Sequence, residues 1–253
     1  MIFGYKFSGM SRIKGELHNM KNFLRRAWAE VHLDRLSGNL AALRSLINED
    51  KTQIACVVKA NAYGHDDGNV AAFLETQGVS FFAVSNIKEA ENIRRSGVKG
   101  EILILGHTPA EYAKELAEFD IIQAAVSLGY ARELSEAAVN AGVRVKIHMA
   151  VDTGMGRIGV CASDSGSINT AADDICSAAK LDGIILDGAF THYAAADSLD
   201  EDDIAYTDAQ TERFFAVCDR VKGNGVSLRH THCLNSAGGA FRYNDRSTLV
   251  RFG

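Results

Sequence analysis

The sequence has very little proline, and its cysteines follow no motif. Its 253 residues include one proline, Pro109, and five scattered cysteines without Cys-x-x-Cys spacing. An odd, scattered set argues against a disulfide framework or a zinc site and suits a reducing compartment, so we predict a cytoplasmic protein. With one proline, the turns must depend on the 23 glycines and on Asn and Asp.

Long apolar runs and an excess of positive charge are also missing. No apolar run approaches the roughly 20 residues of a membrane helix, and the N-terminus lacks the apolar centre of a signal peptide. The net charge is −5, and no basic stripe with interleaved aromatic residues occurs. We therefore expect neither a membrane nor a nucleic-acid partner, and instead a small metabolite.

The sequence does contain a regular alternation of apolar strands and amphipathic helices. Because such alternation is typical of parallel strands, it predicts an α/β fold, either a (β/α)₈ TIM-type barrel or a doubly wound open sheet. We favour the barrel because the alternation gives eight strand–helix steps. The predicted strands are 54–58, 80–84, 101–105, 121–126, 143–149, 184–191, 228–233 and 248–252, after an earlier strand at 27–33.

The first residues differ from the rest. Residues 1–19 are polar, aperiodic and followed by Met20. We predict that they form a poorly ordered N-terminal extension and that residues 20–253 form one domain.

Three helix starts carry capping signals. Thr108 precedes Pro109 and Glu111, the pattern of an N-cap threonine with proline at the first helical position and a capping-box glutamate. Asn86 with Glu89, and Thr207 with Gln210, repeat the capping pattern.

Lys59 is the most informative residue. It ends the apolar run Gln53 to Val58 and is followed by Ala60-Asn61-Ala62-Tyr63-Gly64-His65. A lysine that is partly desolvated at a strand end loses its proton more readily and can form a Schiff base with an aldehyde such as that of pyridoxal phosphate. From this segment alone, a solvated lysine that merely ends a strand is the favoured interpretation, because strand ends often carry a solvated charge.

Further polar residues follow the later strands. Each has a structural alternative: a solvated arginine, a hydrogen-bonding histidine, or a helix cap. Catalysis belongs at the C-terminal ends of the strands in either architecture, and the shared position of these residues favours one site. They are Arg157, His192, Asn235, Ser236 and Arg251.

A metal site receives little support. His230 and His232 share one face of a strand, but the sequence places no carboxylate or third ligand beside them. We predict no metal.

Several of these motifs together resemble the alanine racemase family. They are Val58 to His65, Val151 to Gly159, His192 and Asn235 to Gly238, and the similarity spans 26–253. The resemblance implies an N-terminal pyridoxal-phosphate-binding barrel, a separate C-terminal β domain and a homodimer. It also implies an isomerase that interconverts L-alanine and D-alanine and so supplies D-alanine for peptidoglycan.

The resemblance implies a role for each site residue. Lys59 matches the lysine that holds the cofactor and moves the α-proton on one face of the substrate. Arg157, His192 and Arg251 match the other catalytic positions, with Arg251 facing the pyridine nitrogen and His192 and His232 supporting it. The matches to cofactor-binding positions are Lys59, Tyr63, Asn235, Ser236, Arg251 and Gly253.

The chain departs from the family pattern in four places. It has no match to the C-terminal domain, whose tyrosine serves the second substrate face across the dimer, and no match to the last barrel helix, so we expect it to be incomplete for catalysis. Ala150 stands where many members have a lysine that positions the arginine seven residues later. Asp66-Asp67-Gly68 follows His65 where the family usually has glycine.

Two alternatives remain at this stage. A serine racemase of the glycopeptide-resistance type is similar in this half. A non-catalytic, single-domain protein that binds pyridoxal phosphate also has a barrel that stands alone.

Overall fold

The main sheet is a barrel of parallel strands. The computed structural model describes residues 4–8 and 28–253. Within these, eight parallel strands follow one another around the barrel. The two strands at the ends of this series lie side by side. The eight strands are β3 (Gln53–Val57), β4 (Phe81–Val84), β5 (Glu101–Ile104), β6 (Ile121–Ala125), β7 (Val145–Asp152), β9 (Ile184–Phe190), β10 (His230–His232) and β11 (Leu249–Phe252).

The barrel closes between β10 and β11. The Thr248 amide donates to the Thr231 carbonyl at 2.8 Å, and the Arg251 amide donates to the Leu234 carbonyl at 3.0 Å. On its other side, β11 pairs with β3 in parallel register. The predicted (β/α)₈ barrel is therefore confirmed, and the open doubly wound sheet was wrong.

The strands are mainly apolar because both of their faces are covered. Inside the barrel, Phe81, Leu103, Ile122 and Leu249 pack around Ala55. Their neighbours along each strand point outward and join the larger core beneath the helices. Apolar side chains therefore fill this part of the interior.

The helices cover the outside of the barrel. They are α1 (Leu33–Arg44), α3 (Asp67–Thr76), α4 (Ile87–Arg95), α5 (Ala113–Glu118), α6 (Leu128–Asn140), α7 (Ile168–Ala178), α8 (Glu201–Gly223) and α9 (Ser236–Phe241), with a 3₁₀ turn at Ala110–Tyr112 and a short turn α2 (Lys59–Gly64). None of the helices in the described residues is long and apolar enough to cross a membrane.

One of the three capping predictions is confirmed. Asn86 caps α4, and its side chain accepts a hydrogen bond from the Glu89 amide at 3.1 Å. Thr108 does not act as a cap, because Pro109 holds an extended conformation and the Thr108 hydroxyl has no partner among the described residues. Thr207 lies inside α8, which begins after Asp200.

The remaining strands lie off the barrel. β2 (Trp28–His32), predicted as the first strand, pairs with β1 (Gly4–Ser8) in parallel. β8 (Val160–Cys161) pairs with the end of β7. Most of residues 1–19 lies outside the described residues, so the predicted N-terminal extension stays a prediction.

Candidate functional site

The C-terminal end of the barrel brings the predicted site residues together. The Arg251 Nη2 atom lies 3.4 Å from the His192 Nδ1 atom. Burial, followed by the positive charges of Arg251, Arg157 and Lys59, lowers the pKa of His192 to about 4. These four side chains therefore share one electrostatic environment at this mouth.

Lys59 begins a left-handed turn, where the sequence predicted only a polar loop. Ala60, Asn61, Ala62 and Tyr63 all have φ between 49° and 57°. This conformation costs an L-residue roughly 1–2 kcal/mol, so neighbouring contacts must stabilise it. This strained backbone conformation sets the direction in which the chain continues after Lys59.

Hydrogen bonds from two sides hold this turn. The Ala60 amide donates to one Glu89 carboxylate oxygen at 2.9 Å, and the other oxygen accepts from the Ser85 amide and hydroxyl, both at 2.8 Å. The Asn61 carbonyl accepts from the His65 amide at 2.9 Å and the Asp66 amide at 3.1 Å. The insertion after His65 is accommodated because Asp66 caps α3.

Tyr63, Ser236 and Gly253 form a small cradle of hydrogen-bond donors. The Gly253 amide lies 3.2 Å from the Ser236 Oγ atom. A Cβ atom on Gly253 would lie 2.7 Å from the Tyr63 hydroxyl and 2.9 Å from Val57 Cβ, so a larger residue would displace these neighbours. Asn235 supports the cradle indirectly, because its side chain caps α9 by accepting from the Gly238 amide at 2.8 Å.

Arg251 is a buried guanidinium with neutral partners. Its Nη1 atom lies 2.8 Å from His232 Nδ1, and its Nη2 atom donates to the Thr191 carbonyl at 2.9 Å. Weaker contacts reach the His232 and Cys233 carbonyls. Burial lowers the pKa of Arg251 to about 10, so the group stays charged at neutral pH.

Beyond His232, two residues that the sequence interpretation did not single out, His148 and Asp187, support Arg251. His232 Nε2 lies 2.9 Å from His148 Nδ1, and His148 Nε2 lies 3.0 Å from a carboxylate oxygen of Asp187. The sequence signal that could have found them was a polar residue inside an otherwise mainly apolar strand, His148 in β7 and Asp187 in β9.

Arg157 lies in a loop that is held by hydrogen bonds between backbone amides and the Asp152 side chain. The Asp152 carboxylate accepts from the amides of Gly154 and Gly156, both at 3.0 Å. Ala150, at the position of the family's usual lysine, packs in an apolar cluster with Phe190 and Ile158. The side chain of Arg157 is exposed and forms no hydrogen bond or ion pair with another described residue.

Gln210 joins the Arg157 loop to the His192 strand end. Its Nε2 atom donates to Thr153 Oγ1 at 3.1 Å and to the His192 carbonyl at 3.2 Å, and its Oε1 atom accepts from the Ala194 amide at 2.9 Å. The side chain is fully buried. The sequence interpretation read this residue as part of a helix cap, so its positioning role was missed.

A carboxylate does lie beside His230, contrary to the expectation from sequence. Ligand atoms of Glu101, Asp187 and His230 lie within 4.8 Å of one another at the N-terminal end of the barrel. Arg229 forms ion pairs with both carboxylates there and already supplies a positive charge.

The family model described as alanine racemase, N-terminal domain, matches residues 31–253. Relatives include alanine racemase of Clostridium perfringens, 38% identical over 84% of this chain and 53% of that protein, and alanine racemase 2 of Caldanaerobacter subterraneus, 39% identical over 82% and 51%. This chain belongs to the alanine racemase family. It spans about half the length of these relatives.

Solved structures of family members have the same barrel. Alanine racemase of Clostridium difficile 630 in complex with cycloserine has a TM-score of 0.79 at 32% identity, covering 87% of this chain and 58% of that one. A histidine racemase from Leuconostoc mesenteroides has a TM-score of 0.72 at 25% identity, covering 87% and 56%. The barrel therefore occurs in racemases named for different amino acids.

We expect replacement of Gln210 by methionine to destabilise the chain by about 1–3 kcal/mol, because its fully buried side chain loses three hydrogen bonds, to Thr153 Oγ1, the His192 carbonyl and the Ala194 amide. Urea unfolding measures this change. Gln53→Met is the control, since Gln53 is exposed and a surface substitution should change stability by less than about 0.5 kcal/mol. Equal effects of the two substitutions would contradict the role of Gln210.

We also expect His192 to make stability depend on pH. Its pKa is about 4 in the folded chain against an ordinary 6.5, so between these values only the unfolded chain takes up the proton. Stability therefore falls as pH drops through this window, by at most about 1.4 kcal/mol per pH unit, and His192 adds no slope below it. Urea unfolding of wild type and His192→Asn across this range measures the difference. Identical slopes would contradict the lowered pKa.

Proposed function

We propose that this chain is the cofactor-binding barrel of a pyridoxal-phosphate-dependent amino-acid racemase that acts on alanine. The observation that carries the proposal is that Lys59 and the buried Arg251 lie at the same mouth of the barrel. Both positive charges lower the pKa of His192. Family membership supports the same reading. The product would be D-alanine for peptidoglycan.

The residues present fit pyridoxal phosphate. Lys59 offers the amine for covalent attachment, and Tyr63, Ser236 and the Gly253 amide offer hydrogen-bond donors for the phosphate. The fit rests on the close packing around Gly253, where a Cβ atom would meet both the Tyr63 hydroxyl and the Val57 side chain, so the missing side chain leaves the amide accessible. Asn235 helps by capping α9 next to this cradle.

Arg251 would face the ring nitrogen of the cofactor. When bound, pyridoxal phosphate supplies an electron sink that acidifies the α-proton of an attached amino acid. Arg251 keeps its own proton at neutral pH, because its pKa falls only to about 10. It would therefore donate a hydrogen bond without transferring the proton, which favours return of a proton to the α-carbon over transamination.

Lys59 would serve as the base on one face of the substrate. Racemisation needs a second acid–base group on the opposite face. We propose that this group is a tyrosine of a C-terminal domain, supplied by the partner in a homodimer, as the resemblance to the family implies; the chain matches about half the length of its relatives. The barrel alone would then catalyse only half of the reaction.

Arg157 and His192 would complete the substrate side of the site. The exposed guanidinium of Arg157 is suited to the substrate carboxylate. His192 is held neutral by its low pKa, so it can accept a hydrogen bond from Arg251 while its other ring nitrogen donates.

The cellular setting is part of the proposal. The five cysteines are all unpaired, which supports a reducing cytoplasm. Other amino acids remain outcomes of the assay, since a histidine racemase has the same barrel.

We expect the chain loaded with pyridoxal phosphate to exchange the α-proton of one alanine enantiomer for deuterium in D₂O, because Lys59 serves one face. Lys59→Ala should lose both this exchange and the pyridoxyl label that borohydride reduction fixes on Lys59. Lys88→Ala is the control, since Lys88 is exposed and lies in α4. Proton NMR follows the exchange, and mass spectrometry of peptides locates the label.

Adding the C-terminal half of a related alanine racemase should convert this one-sided exchange into racemisation. A label that persists in Lys59→Ala would contradict the assignment of the lysine. Faster exchange with serine or histidine than with alanine would contradict the proposed substrate.

A further inference from the structure

A continuous line of hydrogen-bonded side chains runs through the barrel interior from Arg251 towards its opposite end. The steps are Arg251 Nη1 to His232 Nδ1 at 2.8 Å, His232 Nε2 to His148 Nδ1 at 2.9 Å, and His148 Nε2 to Asp187 Oδ2 at 3.0 Å. Both imidazoles are fully buried. The line connects Arg251 to the carboxylate of Asp187.

The buried charge of Arg251 has no carboxylate beside it among the described residues, and the line of hydrogen bonds leads from it to one. Among the described residues, no carboxylate lies within ion-pair distance of Arg251, whose partners are backbone carbonyls and imidazoles. An unpaired charge in a dry interior is strongly disfavoured. Asp187 is the first carboxylate reached along the line.

The chemistry of the two ends fixes the direction of every hydrogen bond. A guanidinium only donates and a carboxylate only accepts. His232 must therefore accept at Nδ1 and donate from Nε2, and His148 must do the same. Burial lowers the pKa of both histidines, which agrees with two neutral rings that share one tautomer.

The backbone is shaped to place Asp187 in this line. The register of β7 against β9 pairs Ile147 with Leu186 and then His148 with Gly188, so Asp187 is the extra residue of a bulge. Bulges commonly re-aim a side chain next to an active site. Gly188 leaves room for the ring, because a Cβ atom there would lie 2.9 Å from His148 Nε2.

The far end of the line is anchored. Arg229 donates to both oxygens of Asp187, at 2.8 and 2.9 Å, and also pairs with Glu101. Burial alone would raise the pKa of Asp187, but hydrogen bonds from His148 and Arg229 outweigh it and keep the carboxyl ionised. Asp187 is thus a fixed anion, and only it, not Glu101, contacts His148.

We propose that Asp187 is a positioning residue for Arg251: its carboxylate, acting through neutral His148 and His232, fixes the tautomers of both rings and holds the guanidinium towards the cofactor. The role of Arg251 rests on the proposed function. The order of the hydrogen-bond line does not, so the two are tested separately.

The test is ¹⁵N NMR of the histidine-labelled chain without cofactor, with signals assigned by single-histidine substitution. In wild type, His148 and His232 should each carry one proton, on Nε2. In Asp187→Val, the His148 Nε2–H group loses its acceptor. We therefore expect that the ¹⁵N signals of His148 and His232 no longer show a single tautomer with the proton on Nε2. Glu101→Val is the matched control, because it removes the other carboxylate from Arg229 and should leave both rings unchanged.

A second readout links the line to the reaction. With pyridoxal phosphate bound, Asp187→Val should slow α-deuterium exchange by about tenfold or more without a matching change in the alanine concentration for half-maximal rate, while Glu101→Val should not. A proton on Nδ1 of either ring in wild type would overturn the inference, and this result does not depend on whether Asp187→Val folds. Equal effects of the two substitutions on the rings would also overturn it. Absence of exchange in wild type together with the expected tautomers would instead count against the proposed function alone.

Discussion

The burial of one positive charge, that of Arg251, is the constraint on which the rest of the site depends. Removing a guanidinium from water costs several kcal/mol unless its donors are satisfied. The barrel supplies the acceptors at the ends of neighbouring strands, through the Thr191 carbonyl and the ring of His232. Those strand ends must therefore keep their positions for the charge to stay buried.

The same charge determines the chemistry around it. Arg251 contributes to the low pKa of His192, and that neutral ring lies between the guanidinium and the loop that carries Arg157. Lys59 follows β3, the strand next to β11, and begins a strained left-handed turn held by Glu89. A rigid barrel thus presents two guanidinium groups and an amine at one mouth, as suits a site that must bind an anionic cofactor and an amino acid.

The sequence predicted the barrel and the strand-end residues because both follow from local patterns. Apolar runs indicate buried parallel strands, and a polar residue directly after such a run must lie at the strand's C-terminal end. The left-handed turn was not predictable in this way, because none of its four residues is a glycine. Gln210 was misread because Thr207 and Gln210 have capping spacing, whereas α8 begins earlier, at Glu201, with Asp200 as its N-cap. The line from Arg251 to Asp187 joins residues 84 and 39 positions apart, and no local pattern specifies such pairings.

The most direct test of this account is a crystal structure of the chain grown with pyridoxal phosphate. The account predicts continuous density between Lys59 Nζ and the cofactor, the ring nitrogen within hydrogen-bond distance of Arg251, and the phosphate among Tyr63, Ser236 and the Gly253 amide. A cofactor attached to another residue, or a ring nitrogen that faces a carboxylate, would contradict it.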